Sequence, residues 1–197
     1  MSSKRFESAC LSGVEQAFKF HYSFTGGLSL SAAPESFIQV NIFRMLAKEL
    51  GVGGWVTMEE SVQGLLKEGG AERRGCVPRN KHGRIDIVTW WKSGKPRLLI
   101  EVKKVYAINS LGRDVRRLGQ VLNRGGTTRH GLVVAYAEAK TKKTLETRFN
   151  AIAQKSRTKI SQLTPAKRFE TYWHDETKYW YWQAACFSVL ISDEPQP

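Results

Sequence analysis

The sequence predicts an α/β (α+β) fold from three observations. Two strand-like runs flank a Ser-Gly turn between Gly83 and Val105, an amphipathic helix precedes them, and a second helix followed by an almost wholly apolar strand comes after. From Glu35 onward the order is therefore helix, three strands, helix, strand. A chain of 197 residues has room for one domain, 1–197, with a substantial core; two domains would be crowded.

Residues 4–22 carry Phe6, Leu11, Val14 and Phe18 at mostly helical spacing, which predicts an opening helix, although AFKFHYSF also reads as a strand. Gly26-Gly27 and the serine-rich stretch to Ala33 read as a loop that closes an N-terminal segment, 1–29. Pro34 then opens ESFIQVNIFRMLAKEL, where Ile38, Ile42, Met45 and Leu46 share one face until Gly51 ends the helix. Glu35 falls on that inward stripe, in the first turn, where the helix dipole favours an acid. Gly54 to Ser61 reads as a strand with Glu59 and Glu60 near its end, and 62–82, rich in Gly, Arg and Lys with Pro78, reads as a basic loop.

Beyond the hairpin, 110–124 predicts a helix with Leu111, Val115, Leu118 and Leu122 as its apolar stripe. Its other side carries Arg113, Arg117, Gln120 and Arg124 as a basic stripe with an amide in it. Gly125-Gly126 breaks the helix, and HGLVVAYAEA reads as a buried strand. Thr144 to Ser156 predicts a further helix through Leu145, Phe149 and Ile152, and Phe169 to Ser192 a hairpin turning near His174 to Thr177. The alternating aromatics Trp173, Tyr179, Trp180, Tyr181 and Trp182 fit a core and its edge, with base stacking the less favoured alternative. The tail after Asp193 is expected to be disordered.

The hairpin carries the chemistry. With Ser93-Gly94 as a two-residue loop, Lys92 faces Lys95, Trp91 faces Pro96, Val88 faces Leu99, and Asp86 faces Glu101. Period-two alternation then puts Asp86, Glu101 and Lys103 on one face and Ile85, Ile87, Thr89, Leu98, Ile100 and Val102 on the other. The expected hairpin has one apolar face and one bearing two acids and a lysine. Opposed carboxylates repel, so a fold that keeps them is expected to set a cation between them, and hard oxygen ligands suit Mg2+ or Mn2+. Lys103 stands ready to orient a water or to neutralise charge on a phosphate.

Composition narrows the partners. The 31 Lys and Arg exceed 18 Asp and Glu by a net +13, which favours a polyanion, nucleic acid first. Cys10, Cys76 and Cys186 form neither a disulfide framework nor a zinc motif, so a reducing, cytoplasmic setting is expected. The four histidines show no metal-ligand spacing. Met1 to Phe6 lacks the apolar segment of a signal peptide, and no apolar run approaches the about 18 residues of a membrane span.

Asp86, fourteen intervening residues and then Glu101-Val102-Lys103, on strands of matching phase, resemble the motif of the PD-(D/E)XK nucleases, the restriction-endonuclease-like superfamily. The resemblance spans about 30–136, with Ile85 where the motif name has proline. It implies a restriction-endonuclease-like core, a central mixed β-sheet flanked by helices in the order α-β-β-β-α-β, with residues 137–197 as an extension of one helix and a β-hairpin. It further implies Asp86 and Glu101 as the metal-binding acids, aided by the backbone carbonyl of Val102, Lys103 as the catalytic lysine, and Mg2+ as the ion, with Mn2+ able to substitute. Glu35 matches a glutamate that superfamily members often place before the sheet, and Glu59 or Glu60 could rival it.

Arg117 and Gln120, with Arg113 beside them, become candidates for substrate phosphate, as do Arg79 and Lys81 with Arg73 and Arg74 in the basic loop. The implied activity is hydrolysis of phosphodiester bonds of nucleic acid, DNA before RNA, by an endonuclease; cutting both strands leaves a homodimer open. The alternative is a nucleic-acid-binding or assembly subunit of the same fold without catalysis.

Overall fold

The computed structural model describes residues 3–71, 83–105, 111–124, 126–128, 130–156, 158–173 and 176–189. Arg73, Arg74, Arg79 and Lys81 of the expected basic loop, with Cys76, His82, His174 and the tail after Asp193, lie outside them.

The chain opens with α1 (Ser3–Phe24), so AFKFHYSF is helix throughout. A short 3-10 turn, Leu30–Ala32, leads to α2 (Glu35–Leu50), with Pro34 at its N-cap and Gly51 closing it. The two helices meet closely at Gly13, where a Cβ would lie 2.5 Å from the Ile42 Cα, so only glycine permits this crossing. Strand β1 (Gly54–Ser61) follows as expected, but 62–68 is not loop. It is helix α3 (Val62–Glu68), started by Ser61, whose side chain accepts from the Gly64 amide at 3.1 Å. Gly64 within the segment weakened the helical pattern, yet Val62, Leu65 and Leu66 are buried.

Strands β2 (Arg84–Trp91) and β3 (Pro96–Lys104) form the hairpin, α4 (Gly112–Leu122) and β4 (His130–Ala139) follow, and α5 (Lys142–Ser156) leads into β5 (Lys159–Leu163), β6 (Lys167–Trp173) and β7 (Glu176–Val189). All seven strands join one mixed, open sheet in the order β1-β2-β3-β4-β7-β5, with β6 paired to β7. Among the described residues only β3 and β4 run parallel. The segment expected as an extension beyond 136 is thus part of the sheet: β7 pairs with β4 along Gly131↔Val189 to Ala139↔Tyr181. The short strand β5, not expected from the sequence, covers its far edge.

Both faces of the sheet are buried, contrary to the one-sided hairpin the sequence suggested. Helices α1 and α2 pack Val14, Ile38, Ile42 and Leu46 over Ile87, Ile100, Val102 and Trp182. On the other face α3, α4 and α5 pack Leu65, Leu118 and Phe149 over Val88, Leu99, Val133 and Phe187. The acids therefore share their face with a second core and must lie at its end.

The turn differs by one residue from the expected two-residue loop. The Trp91 amide donates to Lys95 O and the Gly94 amide to Trp91 O, both at 2.9 Å, and Gly94 takes φ 79 in the left-handed region. Trp90, not Trp91, faces Pro96, and an irregularity between Trp90 and Thr89 restores Thr89↔Leu98 and Val88↔Leu99. The bulge cancels the turn's offset, so the register towards Asp86 and Glu101 is the expected one.

Candidate active site

The site forms where β3 ends and where α2 and α4 begin. Along β1 and β2 the pairing runs Met58↔Ile87 and then Glu60↔Ile85, skipping Glu59 and Asp86, and Glu59 sits at φ 58. This break rotates β2: Ile87 packs in the first core while Ile85 packs in the second, not on one face as alternation predicted. The ladder between β2 and β3 runs only as far as Ile87↔Ile100. Beyond it the Asp86 carboxylate takes over, its Oδ2 accepting from the Val102 amide at 2.7 Å. In an extended residue the N–H and C=O point the same way, so the Val102 carbonyl also faces the Asp86 side.

Glu101 is fully buried on the same strand. Arg117 Nη2 on α4 approaches its Oε1 at 2.5 Å but out of hydrogen-bond alignment, and neither Glu101 oxygen has a hydrogen-bond partner. Burial and the neighbouring Asp86 charge push the Glu101 pKa up to about 8, against the pull of Arg117. Asp86 is also raised, chiefly by burial, although the Val102 amide and Lys103 pull it down. Asp86 and Glu101 are thus a coupled pair of buried carboxyls, both pushed up chiefly by burial.

Lys103 connects the acids to the helices. Its Nζ donates to Glu35 Oε1 at 3.0 Å and lies 4.0 Å from Asp114 Oδ2. Burial works against its charge, but the Glu35 hydrogen bond and the surrounding carboxylates outweigh it and raise its pKa. Lys103 is therefore held as an ammonium, suited to fixing negative charge and not to taking a proton. Glu35 Oε2 accepts from the Lys104 amide at 3.0 Å, so the start of α2 is tied to the end of β3 by both carboxylate oxygens.

The structure brings Asp86, Glu101, Lys103 and Glu35 together as expected. Glu59 is exposed, and Glu60 pairs with Ile85 without a contact to this group. On α4 the supposed basic stripe does not face one way: Arg113 and Gln120 are exposed, Arg124 is buried, and Arg117 turns inward. Arg117 is occupied by Glu101 and, at 3.2 Å, by Asp114 Oδ1, which differs from the open phosphate contact that the sequence suggested.

Asp114 went unnoticed in the sequence because an acid in a first helical turn is ordinary. Its spacing of three before Arg117 was the available signal. Burial raises its pKa although Lys103 and Arg117 lower it. Glu138, at the end of β4, is a second omission: it accepts from the Tyr136 and Ser29 hydroxyls, from Ser31 Oγ at 2.9 Å and from the Ser31 amide at 3.3 Å. It thereby anchors the 3-10 turn that leads to Glu35, and that turn's Ser31 carbonyl accepts from Lys104 Nζ at 2.9 Å.

Among the described residues no group of three or more His, Cys, Asp and Glu forms a ready-made metal cage. A fit to a hard divalent cation still follows from the two buried Glu101 oxygens without hydrogen bonds beside a second carboxylate, because Mg2+ binds through one or two carboxylates and keeps several waters. No described helix is long and apolar enough to cross a membrane. Comparison with known protein families, curated proteins and solved structures returned no match to this chain.

Proposed function

We propose that this protein is a metal-dependent phosphodiesterase of the restriction-endonuclease-like type, acting on nucleic acid and on DNA first. The observation that carries the reading is the Glu101 carboxyl, fully buried, without hydrogen bonds and pushed up to about 8, next to Asp86 and two residues before the Lys103 ammonium. Arg117 is the cation beside it, yet the contact leaves both carboxylate oxygens without an aligned donor. Asp86, Glu101 and the Val102 carbonyl would hold Mg2+ or Mn2+. When bound, such an ion neutralises charge on a phosphate and lowers the pKa of water.

Lys103, kept protonated by Glu35, holds negative charge that develops on the phosphate. Glu35 orients Lys103 and takes up the Lys104 amide, so the ammonium is fixed before substrate arrives. The net charge of +13 draws a polyanion to the protein.

A second reading is a nucleic-acid-binding subunit without chemistry, and one observation favours it: Arg117 stands 2.5 Å from Glu101 and serves as the cation there. The two readings differ in outcome. The enzyme cuts DNA with Mg2+ or Mn2+ and not with EDTA, and Lys103→Ala or Asp86→Asn lowers cutting by roughly 10^2- to 10^3-fold or more with an unchanged far-UV spectrum. Mg2+ also raises the melting temperature of the wild type and not of Asp86→Asn. Salt-sensitive binding with no product from plasmid, single-stranded DNA or RNA under any divalent metal selects the second reading.

A further inference from the structure

Strand β7 is longer than its neighbour. Its residues Tyr181 to Val189 pair with β4, but Glu176–Trp180 run on past Ala139, where β6 is the strand beside them. The resulting two-stranded arm projects from the end of the sheet at which β3 stops. Since Lys103, Ala135 and Ala185 lie level across β3, β4 and β7, Tyr181 stands roughly 13 Å farther along the strand direction, two strands over.

One face of the arm is held down. Phe169 packs edge-on against Phe18 and Tyr22 of α1, and the Tyr22 hydroxyl donates to the Glu170 carbonyl at 2.7 Å. The other face, on the same side of the sheet as Glu101, carries Tyr179, Tyr181 and Arg168, together with the exposed Glu170 opposite Tyr179. Arg168 is the cross-strand neighbour of Tyr181, and its guanidinium lies 3.7 Å over the ring of Tyr179. Lys142, at the start of α5, stands 5.6 Å over the ring of Tyr181. Tyr179 is 47% exposed and Arg168 is exposed, with Lys140 and Lys143 exposed at the adjoining end of α5. Tyr181 packs in part against the second core, but the exposed Tyr179 under the Arg168 guanidinium is not needed to close the core. Trp182, Phe169 and Trp180 already do that from the other face.

We propose that this face of the β6–β7 arm binds a single-stranded segment of nucleic acid, bases stacking on Tyr179 and Tyr181 and phosphates meeting Arg168, Lys142 and Lys143. A duplex backbone requires cations but offers no unstacked base to a ring, whereas a single strand uses both features. The arm rises at the same end of the sheet as the end of β3, two strands away from it. The proposal rests on the reading of the protein as one that handles nucleic acid, but not on its cutting it.

The experiment compares binding of an oligo-dT of about 15 nucleotides and of a blunt duplex of equal length, in EDTA, by the wild type, Tyr179→Ala, Arg168→Gln and Lys142→Gln. Tyr179→Ala weakens the single strand roughly 5- to 100-fold and leaves the duplex within about 2-fold. Lys142→Gln lowers the salt slope for the single strand by about 0.7. Unchanged oligo-dT affinity in both Tyr179→Ala and Arg168→Gln overturns the proposal, and so does equal weakening of single strand and duplex. Cleavage of the same substrates in Mg2+ is scored separately. Binding through the arm without cleavage leaves this proposal standing and removes the enzymatic reading, while cleavage with arm variants that bind normally does the reverse.

Discussion

Two glutamates on adjacent parallel strands have opposite surroundings. Glu138 on β4 receives three hydroxyls and one amide, from Ser29, Ser31 and Tyr136, so its oxygens are fully engaged. Glu101 on β3 is buried among a carboxylate and a guanidinium, with no hydrogen bond to either oxygen. The first arrangement is how a fold satisfies an acid that holds loops together; the second leaves capacity for something the chain itself does not supply. Each is the single acid of its strand, and only the spacing of Glu101 to Asp86 and Lys103 separates them in the sequence.

The comparison breaks most visibly under pH. The folded Glu101 pKa of about 8 exceeds its ordinary 4.5, so between these values the unfolded chain has released a proton that the folded chain keeps. Stability is then fully present below about 4.5 and falls as pH rises through about 8. Urea titrations across that window are expected to show a loss on the order of 4 kcal/mol in metal-free wild type. Glu101→Gln flattens that slope and makes the protein more stable than wild type at pH 8.5, Arg117 retaining Asp114 as its partner. A Glu101→Gln variant less stable than wild type at that pH would show that the Arg117 contact already satisfies the acid.

Glu138→Ala tests the other half with the opposite sign. It strips the acceptor from three hydroxyls and an amide and frees the turn before Glu35, so it destabilises at every pH by about 1 to 3 kcal/mol. Denaturant midpoints measured at pH 5 and pH 8.5 check this; a neutral effect would mean that water replaces the carboxylate without loss.

The Glu101 half of this contrast was legible before the fold, for physical reasons that also show where legibility stops. Asp86, Glu101 and Lys103 could be aligned because side chains alternate with period two and a short turn ties the strands. The turn itself was misjudged by one residue, and the alignment survived only because the bulge beside Pro96 restores it. Local turn geometry depends on φ at Gly94 and on Pro96 lacking an amide, which period-two counting does not include. Glu138, Asp114 and the inward turn of Arg117 depend on which helix packs over which strand, information carried by contacts between residues far apart in the chain. The second buried face had a visible signal, Val88 and Leu99 flanking the acids, but polar spacing hid it.

Glu59 provides the finest test. It adopts φ 58, a conformation that a Cβ disfavours by roughly 1 kcal/mol, and it does so where the pairing of β1 with β2 skips one position, beside Asp86. Its side chain is exposed, so the backbone at this point is held by its surroundings and not by its own contacts. If the break exists to turn Asp86 towards the Val102 amide, glycine at 59 keeps the break and removes its cost. Glu59→Gly is therefore expected to raise stability by about 0.5 to 1 kcal/mol and to leave the raised pKa of Glu101, read from the pH slope, in place. A loss of stability together with a shallower pH slope would mean that the strands re-pair through position 59 and that the isolation of Glu101 depends on a side chain there.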